Sequence, residues 1–581
     1  MNFKAAAGLL VVTLLAYLPS FRGAFIWNDS DYVTAPQLRS LAGLWDIWTK
    51  VGATEQYYPL LHSFFWLQWM LWGEHAIAYH LVTVLLHATV AILFALVLRQ
   101  LFDLKAPGSG ASRKSGKAAK VEVEPRRYPG AEWVAALIFA LHPVHVESVA
   151  WITEQKNTLS LVFYLWAALL YLRFDETRRS KTYFAALTFF VLSLLCKTVT
   201  ASLPVALLVA LWWKRGRVDA RRDFQPLFPW LGIGAGFGLL ASWVEQHFLG
   251  AKGQDFDLPL LERVLVAGRA VWFYLGNLVW PLELNFIYPR WVPDRSVWWQ
   301  WLFPFGVFGL LVAGWKLRRW SRAPLAVFVF FVVSLFPVLG FVNLYGALYS
   351  FVWDHWQYLP DLGPIALAAV GLTLGWERFA PKFRGAGPIL VAAGAFLLGT
   401  LTWEQCGMFR DDTTLYRETL RRNPSAWMAH FNQGGMFLKI PGKEREAMAE
   451  FEAALRINPN LPDAHYDLGT VLARMPGREL DAASHFEAAL KLLPESGAIH
   501  YNFANLLRKI PGRESDAIAH FREAVRINPR LAEAHYNLGL ALMADPNQIA
   551  EAIGHFQAAQ QIKDFPLARE IIAKWNALQR R

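Results

Sequence analysis

Four stretches of this chain set ionisable side chains beside strongly apolar sequence, and their types suit the transfer of a group from a phosphate donor. Asp29 and Asp31 stand in FRGAFIWNDSDYVTAP, just after the first hydrophobic run. His142, His145, Glu147, Glu154 and Lys156 fall within fifteen residues of ALHPVHVESVAWITEQKNTLS. Lys197 interrupts LLCKTVTASLP, and Asp354, His355 and Asp361 occur in SFVWDHWQYLPDLG. An ionisable group at membrane depth is costly, so it defaults to a functional reading when it faces a cavity or a partner. A carboxylate such as Asp29 or Asp31 has the chemistry to take the proton of an incoming hydroxyl. The ammonium groups of Lys197 and Lys156, with a charged His142 or His145, have the chemistry to neutralise a leaving phosphate at the bilayer surface. Any one of these residues has a blander reading, as an interface anchor or a buried hydrogen-bonding histidine. That reading is harder to extend to four clusters on one membrane face. A divalent metal is a further option, since His142, His145 and Glu147 with an aspartate are ligand types suited to zinc or manganese. Their spacing matches no metal motif.

Hydrophobic runs must position these groups. They lie at about 5–21, 76–98, 131–143, 157–172, 183–196, 199–213, 226–245, 300–316, 324–343, 361–377 and 387–402. Several are shorter than the roughly 20 residues a span requires, so the helices are expected to extend into their flanks. Basic residues concentrate in alternate loops: eight Lys/Arg from Arg99 to Arg127, four from Arg173 to Lys181, five from Lys214 to Arg222, four from Lys316 to Arg322 and three from Arg378 to Arg384. The positive-inside rule makes these loops cytoplasmic. Eleven crossings from a cytoplasmic N-terminus then carry all four polar clusters, and everything after residue 402, to the far side. The first run reads as a retained span, because AYLPSFRG offers no small-x-small cleavage site.

The net charge of +11 sits largely in short turns between spans. It points to topology and acidic membrane lipids and away from nucleic acid. The stretch 105–127 reads as a flexible basic linker. Residues 246–299 are amphipathic and aromatic, and a crossing there would invert every later loop. An interfacial or re-entrant helix pair fits better, bordering a lipid groove. Arg269 and Arg290 in that segment are secondary candidates for phosphate contact, or else interface anchors. Cys196 and Cys406 are the only two cysteines and are expected to be free thiols.

After residue 402 the pattern changes to a polar helical repeat. His430, His465, His500 and His535 recur every 35 residues, as do Ala447, Ala482, Ala517 and Ala552, Phe451, Phe486, Phe521 and Phe556, and Pro424, Pro459, Pro494 and Pro529. The small/large helix-pair code resembles tetratricopeptide repeats of about 34 residues, with the extra residue in the turns KIPGKE, RMPGRE and KIPGRE. Residues 411–424 look like the second half of a preceding repeat. Such solenoids bind extended peptide or a partner protein on a concave face and carry no chemistry of their own. Their histidines read as packing or helix-surface residues, not ligands.

WNDSDYV, HPVHVESVAWITEQKNTLS, CKTVTASLP, WDHWQYLPDLG and the repeats together resemble the transmembrane and tetratricopeptide repeat-containing O-mannosyltransferases and their bacterial relatives. The likeness covers essentially the whole chain. It implies a GT-C glycosyltransferase that uses a polyprenyl-phosphate-linked sugar and needs an acidic pair in its first outer loop. The pair is similar to Asn28-Asp29, so its first acid is here an amide. That leaves Asp29 as the expected base and Asp31 as its alternate. The resemblance also implies that Glu147 and Lys197 line the donor site.

The expected protein is therefore all-α: a GT-C-like body of about eleven spans over 1–402, then a repeat solenoid over 403–581 on the periplasmic or lumenal side. Its expected function is transfer of a sugar to a Ser or Thr hydroxyl of an exported protein held by the repeats, in a bacterial inner membrane. Catalysis is assigned to Asp29, Asp31 and Glu147, and donor phosphate to Lys197, Lys156, His142 and His145. Asp354, His355, Arg269 and Arg290 have secondary roles. No cofactor is assigned, and a divalent metal is compatible with the ligand types. The alternatives are a glycan or lipid acceptor, or a non-catalytic anchor for a repeat scaffold.

Overall fold

A computed structural model describes residues 2–103, 128, 130–379 and 386–579. The basic linker 105–127 lies outside the described residues. The chain forms two compact units, Met1–Asn423 and Pro424–Arg581.

In the first unit every hydrophobic run becomes a helix: Phe3–Ala16, Ala76–Asp103, Ala131–Leu141, Gln155–Thr177, Ser180–Leu194, Leu203–Arg215, Phe228–His247, Leu302–Leu317, Ala323–Leu335, Leu362–Phe379 and Ala386–Cys406. Among the described residues, five helices are long and apolar enough to cross a membrane, and a bent pair, Ala131–Leu141 with Pro143–Ala150, makes a sixth. Phe3–Ala16, Ser180–Leu194 and the stretch from Ala323 are apolar but shorter. The chain is a membrane protein in this sense. Leu260–Val279, in the segment expected to lie at the interface, is twenty residues long yet not among the candidate spans. Its buried stripe of Leu265, Val266, Ala270, Val271 and Tyr274 makes it one-sided, as a helix resting on a surface should be.

Gln155–Thr177 packs against both Ser180–Leu194 and Ala76–Asp103. Their shared core holds Phe94, Phe139, Tyr171, Phe190 and Trp230, with Phe190 stacked on Trp230 at a centroid distance of 4.9 Å. At one end, the basic turns 173–181 and 214–222 are tied together through Arg215, which pairs with both Asp175 and Asp223. The 54° bend between Leu141 and Pro143 follows from proline, which cannot continue the helical hydrogen-bond ladder. It lets residues 143–154 run as short helical pieces, and every residue from 142 to 158 is buried.

The second unit stacks helix pairs, Glu444–Ile457 after Trp427–Leu438, Glu479–Leu492 after Pro462–Leu472, Glu514–Ile527 after Gly497–Leu507, and Ile549–Ile562 after Ala532–Leu542. Ala447, Ala482, Ala517 and Ala552 are fully buried, and Phe451, Phe486, Phe521 and Phe556 fill the space beside them. Gly539 shows why small must meet large: a Cβ there would stand 2.8 Å from the Phe556 ring. Each turn between the paired helices carries a left-handed glycine, Gly442 at φ +84, Gly477 at +80 and Gly512 at +81. That conformation is cheap only for glycine and explains the Pro-Gly in all three quoted turns.

The repeat histidines form cross-helix pairs. Nδ1 of His465, His500 and His535 meets Nδ1 of His485, His520 and His555 at 2.9, 2.9 and 3.0 Å. In each case Nε2 of the first ring faces the carbonyl of Pro459, Pro494 or Pro529. The first ring must therefore donate from Nε2 and accept at Nδ1, so the second donates from its Nδ1. Charging both rings of a pair would set two N–H groups against each other. Burial and the facing ring accordingly lower His485, His520 and His555 below the ordinary imidazole value; the Asp481, Asp516 and Glu551 carboxylates oppose this. A base with a folded value below its unfolded one contributes stability that is present above about pH 6.5 and is lost as pH falls through it. Amide exchange of 479–562, corrected for intrinsic rates, should thus be faster at pH 5 than at pH 7.5. Replacing His485, His520 and His555 by Gln should flatten the difference. An unchanged pH response in that variant would show that the pairs are not its source.

Candidate active site

Glu154 is the centre of the site. It closes the short helical piece Ile152–Glu154 and heads Gln155–Thr177, and its side chain is almost fully buried. Its Oε1 lies 2.7 Å from Lys156 Nζ, and its Oε2 lies 3.4 Å from Lys197 Nζ. Asn157 accepts from Lys197 Nζ at 2.6 Å and donates to Glu154 Oε2 at 2.7 Å. Lys197 stands just before the single-turn helix Thr198–Ser202, so the break after Ser180–Leu194 is what turns its side chain towards Glu154. Two ammonium groups thus share one carboxylate, an arrangement with cationic capacity to spare. Burial lowers Lys197 to about 8, with Glu154 opposing. Lys156 also lies over the Tyr32 ring, 5.1 Å from its centroid.

Glu147 adjoins this group through His355. The His355 backbone N–H donates to Glu147 Oε2 at 2.8 Å, while Nδ1 lies 3.1 Å from Oε1 without an aligned hydrogen bond. His355 Nε2 is 3.8 Å from Glu154. Burial lowers His355 to about 3, so the ring is neutral. Asp354 points elsewhere, to Tyr288 Oη at 2.9 Å and Asn277 Nδ2 at 3.1 Å, and burial raises its carboxyl well above the ordinary range.

Asp29 does not open onto a cavity. It starts the short helix Asp29–Thr34 and is fully buried. Its Oδ2 accepts from the Ile26 N–H at 2.9 Å, and its Oδ1 from the Thr153 N–H at 2.7 Å and hydroxyl at 2.6 Å. Burial raises it to about 7 despite these bonds. Asp29 therefore clamps the loop after the first helix onto the turn that leads to Glu154. Next to it, Trp27 has φ 53, a left-handed conformation costly for a bulky residue, held by Asp412 accepting from its N–H and by Phe286 at 4.9 Å. Asp31 is exposed and lines a cavity of about 380 Å³ with Tyr32, Thr54, Glu55 and His62.

The other expected residues are not brought to the lysine pair. His142 meets the Leu278 carbonyl at 3.1 Å, and its Nδ1 accepts from the Val144 N–H at 3.4 Å. His145 is held between the Phe139 carbonyl at 2.8 Å and Asp361 at 3.1 Å. Both nitrogens of each ring serve the fold, which corrects their assignment to donor phosphate. Arg269 lies over Trp291 at 4.5 Å, and Arg290 lies over Phe351 at 5.0 Å and pairs with Asp255, as interface anchors would. Among the described residues no group of three or more His, Cys, Asp or Glu side chains is arranged to hold a metal ion, so His142, His145 and Glu147 do not converge as ligands. Cys196 and Cys406 are free and buried. Sequence reasoning named Glu154 without giving it a role, and missed Asn157, Thr153 and Glu55; the Glu-x-Lys-Asn run was the one available signal.

Known proteins agree with the family resemblance read from the residues. Residues 414–462 match a model described as tetratricopeptide repeat, and 512–545 one described as TPR repeat. Protein O-mannosyl-transferase TMTC4 of Mus musculus is 32% identical over 205 residues, covering 32% of this chain and 26% of that protein. Protein O-mannosyl-transferase F38B6.6 of Caenorhabditis elegans is 23% identical over 456 residues, covering 73% and 59%. Protein O-mannosyl-transferase TMTC1 of Homo sapiens is 25% identical, covering 77% and 54%. The chain spans less than two thirds of the length of each of these relatives.

Proposed function

We propose that this chain is a membrane glycosyltransferase of the GT-C type that moves a sugar, mannose in the first instance, from a polyprenyl-phosphate donor to a Ser or Thr hydroxyl of a protein. The relatives' names support a protein acceptor and a mannosyl group. The observation that carries the reading is the Lys156 and Lys197 pair on Glu154. A scaffold has no use for two ammonium groups buried at a helix break, whereas a leaving phosphate needs them. Lys156 and Lys197 take the developing phosphate charge, Glu154 and Asn157 hold both lysines in place, and Glu147 with neutral His355 walls the site. The hydroxyl oxygen attacks the anomeric carbon, its proton passes to a carboxylate, and the bond to phosphate breaks with its electron pair going to the polyprenyl phosphate. Direct displacement of this kind inverts the anomeric centre.

The site and the repeats are assigned to the periplasmic side of a bacterial inner membrane. In a background without Cys196 and Cys406, Ser496→Cys in the repeats should label with an impermeant thiol reagent in spheroplasts, and Ser180→Cys in a basic turn should not. The opposite pattern would overturn the sidedness.

Mass spectrometry of the exported proteome tests the activity. Hexose-bearing Ser and Thr peptides should vanish when the gene is deleted and return with the parent protein. If the same peptides persist in the deletion, the glycosyltransferase reading fails. The repeats recruit the acceptor in this scheme, so removing 424–581 should lower transfer to protein and leave donor-lipid binding in place. Loss of donor binding in a folded truncation would contradict that division of labour.

A further inference from the structure

We propose that Glu55 is the carboxylate that takes the acceptor's proton, in place of the acid whose position Asn28 occupies, and that the cavity beside it seats the acceptor hydroxyl. The inference rests on the glycosyltransferase reading and names the base within it. Glu55 lies in the loop between Leu41–Thr49 and Pro59–Trp72. The Asn28 amide donates to its Oε2 at 3.3 Å, so a carboxylate stands beside Asn28. Asn28 Oδ1, in turn, is buried without a hydrogen-bond partner.

Glu55 and Asp31 line the same 380 Å³ cavity, a volume suited to a small ligand group. Two carboxylates would not mark a site by themselves. Here a third wall is His62, nearly fully buried, whose Nε2 has no hydrogen-bond partner. The Tyr32 ring stands 4.6 Å from the His62 ring, and Lys156 Nζ lies 5.1 Å from the Tyr32 centroid, so one residue of the cavity wall also touches one lysine of the pair. A hydroxyl in the cavity is therefore beside a carboxylate, and the Tyr32 wall that bounds it is the ring on which Lys156 lies. Asp29, with both oxygens engaged, is less well placed. Partial burial raises the Glu55 carboxyl, with Lys156 and the Asn28 amide opposing and Asp31 adding to the rise. A more basic carboxylate is a better proton acceptor near neutral pH.

In the step, the acceptor O–H bond breaks as its oxygen bonds to the anomeric carbon, and the proton goes to Glu55. The carbon–phosphate oxygen bond breaks with its pair on the phosphate, and protonated Glu55 releases its proton to water.

The test uses the full chain in proteoliposomes, polyprenyl-phosphate mannose as donor and a Thr-rich synthetic peptide as acceptor, with donor binding measured separately. Glu55→Gln should lower transfer by about 10²–10⁴-fold, as expected for loss of a positioned base, with donor binding unchanged. Asn28→Asp added to Glu55→Gln should restore transfer, because it returns a carboxylate to the neighbouring position. Asp31→Asn should have the milder effect. If the parent protein transfers sugar and Glu55→Gln transfers it equally well, the inference falls while the function stands. If Glu55→Gln loses donor binding and Asn28→Asp does not rescue it, Glu55 belongs to the donor site and the inference falls as well. If the parent protein transfers no sugar from this donor, the functional reading falls and takes the inference with it.

Discussion

Replacing Lys197 by Met should reduce sugar transfer by about 10²–10³-fold, the usual effect of removing one preorganised group that stabilises developing negative charge. Lys197 is held at 2.6 Å by Asn157 and faces Glu154, so its ammonium is fixed before the donor arrives. Met keeps the length and apolar stem of the side chain, which limits any effect on folding. The same residue sets a pH limit. With its value lowered to about 8, Lys197 is charged below that pH and loses its proton above it. Transfer and donor binding should therefore decline together as pH rises through about 8. Lys197→Arg keeps a charge that does not titrate in this range, so it should remove the alkaline decline even if its absolute rate is lower. A parent protein with a flat profile from pH 7 to 9, or a Met variant with full transfer, would remove Lys197 from the donor site.

Glu154→Gln should cost about 3–5 kcal/mol of stability, the effect of removing one partner from a buried ion pair. The loss arises because Lys156 and Lys197 are then left facing each other without their shared carboxylate, the former at 2.7 Å from it in the parent protein. This variant also separates a structural role from an anion site. A bound phosphate would supply the missing negative charge, so pyrophosphate should raise the unfolding temperature of Glu154→Gln more than that of the parent protein. Equal shifts in both would mean that the lysine pair is closed to anions. Equal stability of the two proteins without added anion would mean that Glu154 does not balance the lysines.

Much of this molecule is legible from periodicity alone. Each of the eleven apolar runs becomes a helix, because the length of an apolar run and its flanking charges are local properties. The 35-residue ladders of Ala, Phe, Pro and His place small residues against large ones in the second unit. That pattern survives because every repeat meets only its neighbours. The ionisable groups worth suspecting were legible as well, since charge beside apolar sequence is itself a local signal.

What each group does was decided only by the tertiary structure. Asp29 and Asp31 differ by two residues, yet one is sealed by Thr153, 124 positions away, and the other opens onto a cavity. His142 and His145 share a turn with Glu154, but the carbonyls of Leu278 and Phe139 and the carboxylate of Asp361 claim their nitrogens. Glu55, in an unremarkable loop, gains its place only because the chain brings it to Asn28. Sequence spacing reports which residues share a helix face or a turn. Which of them meet across helices depends on packing directions and on where each helix breaks, and neither of these has a period.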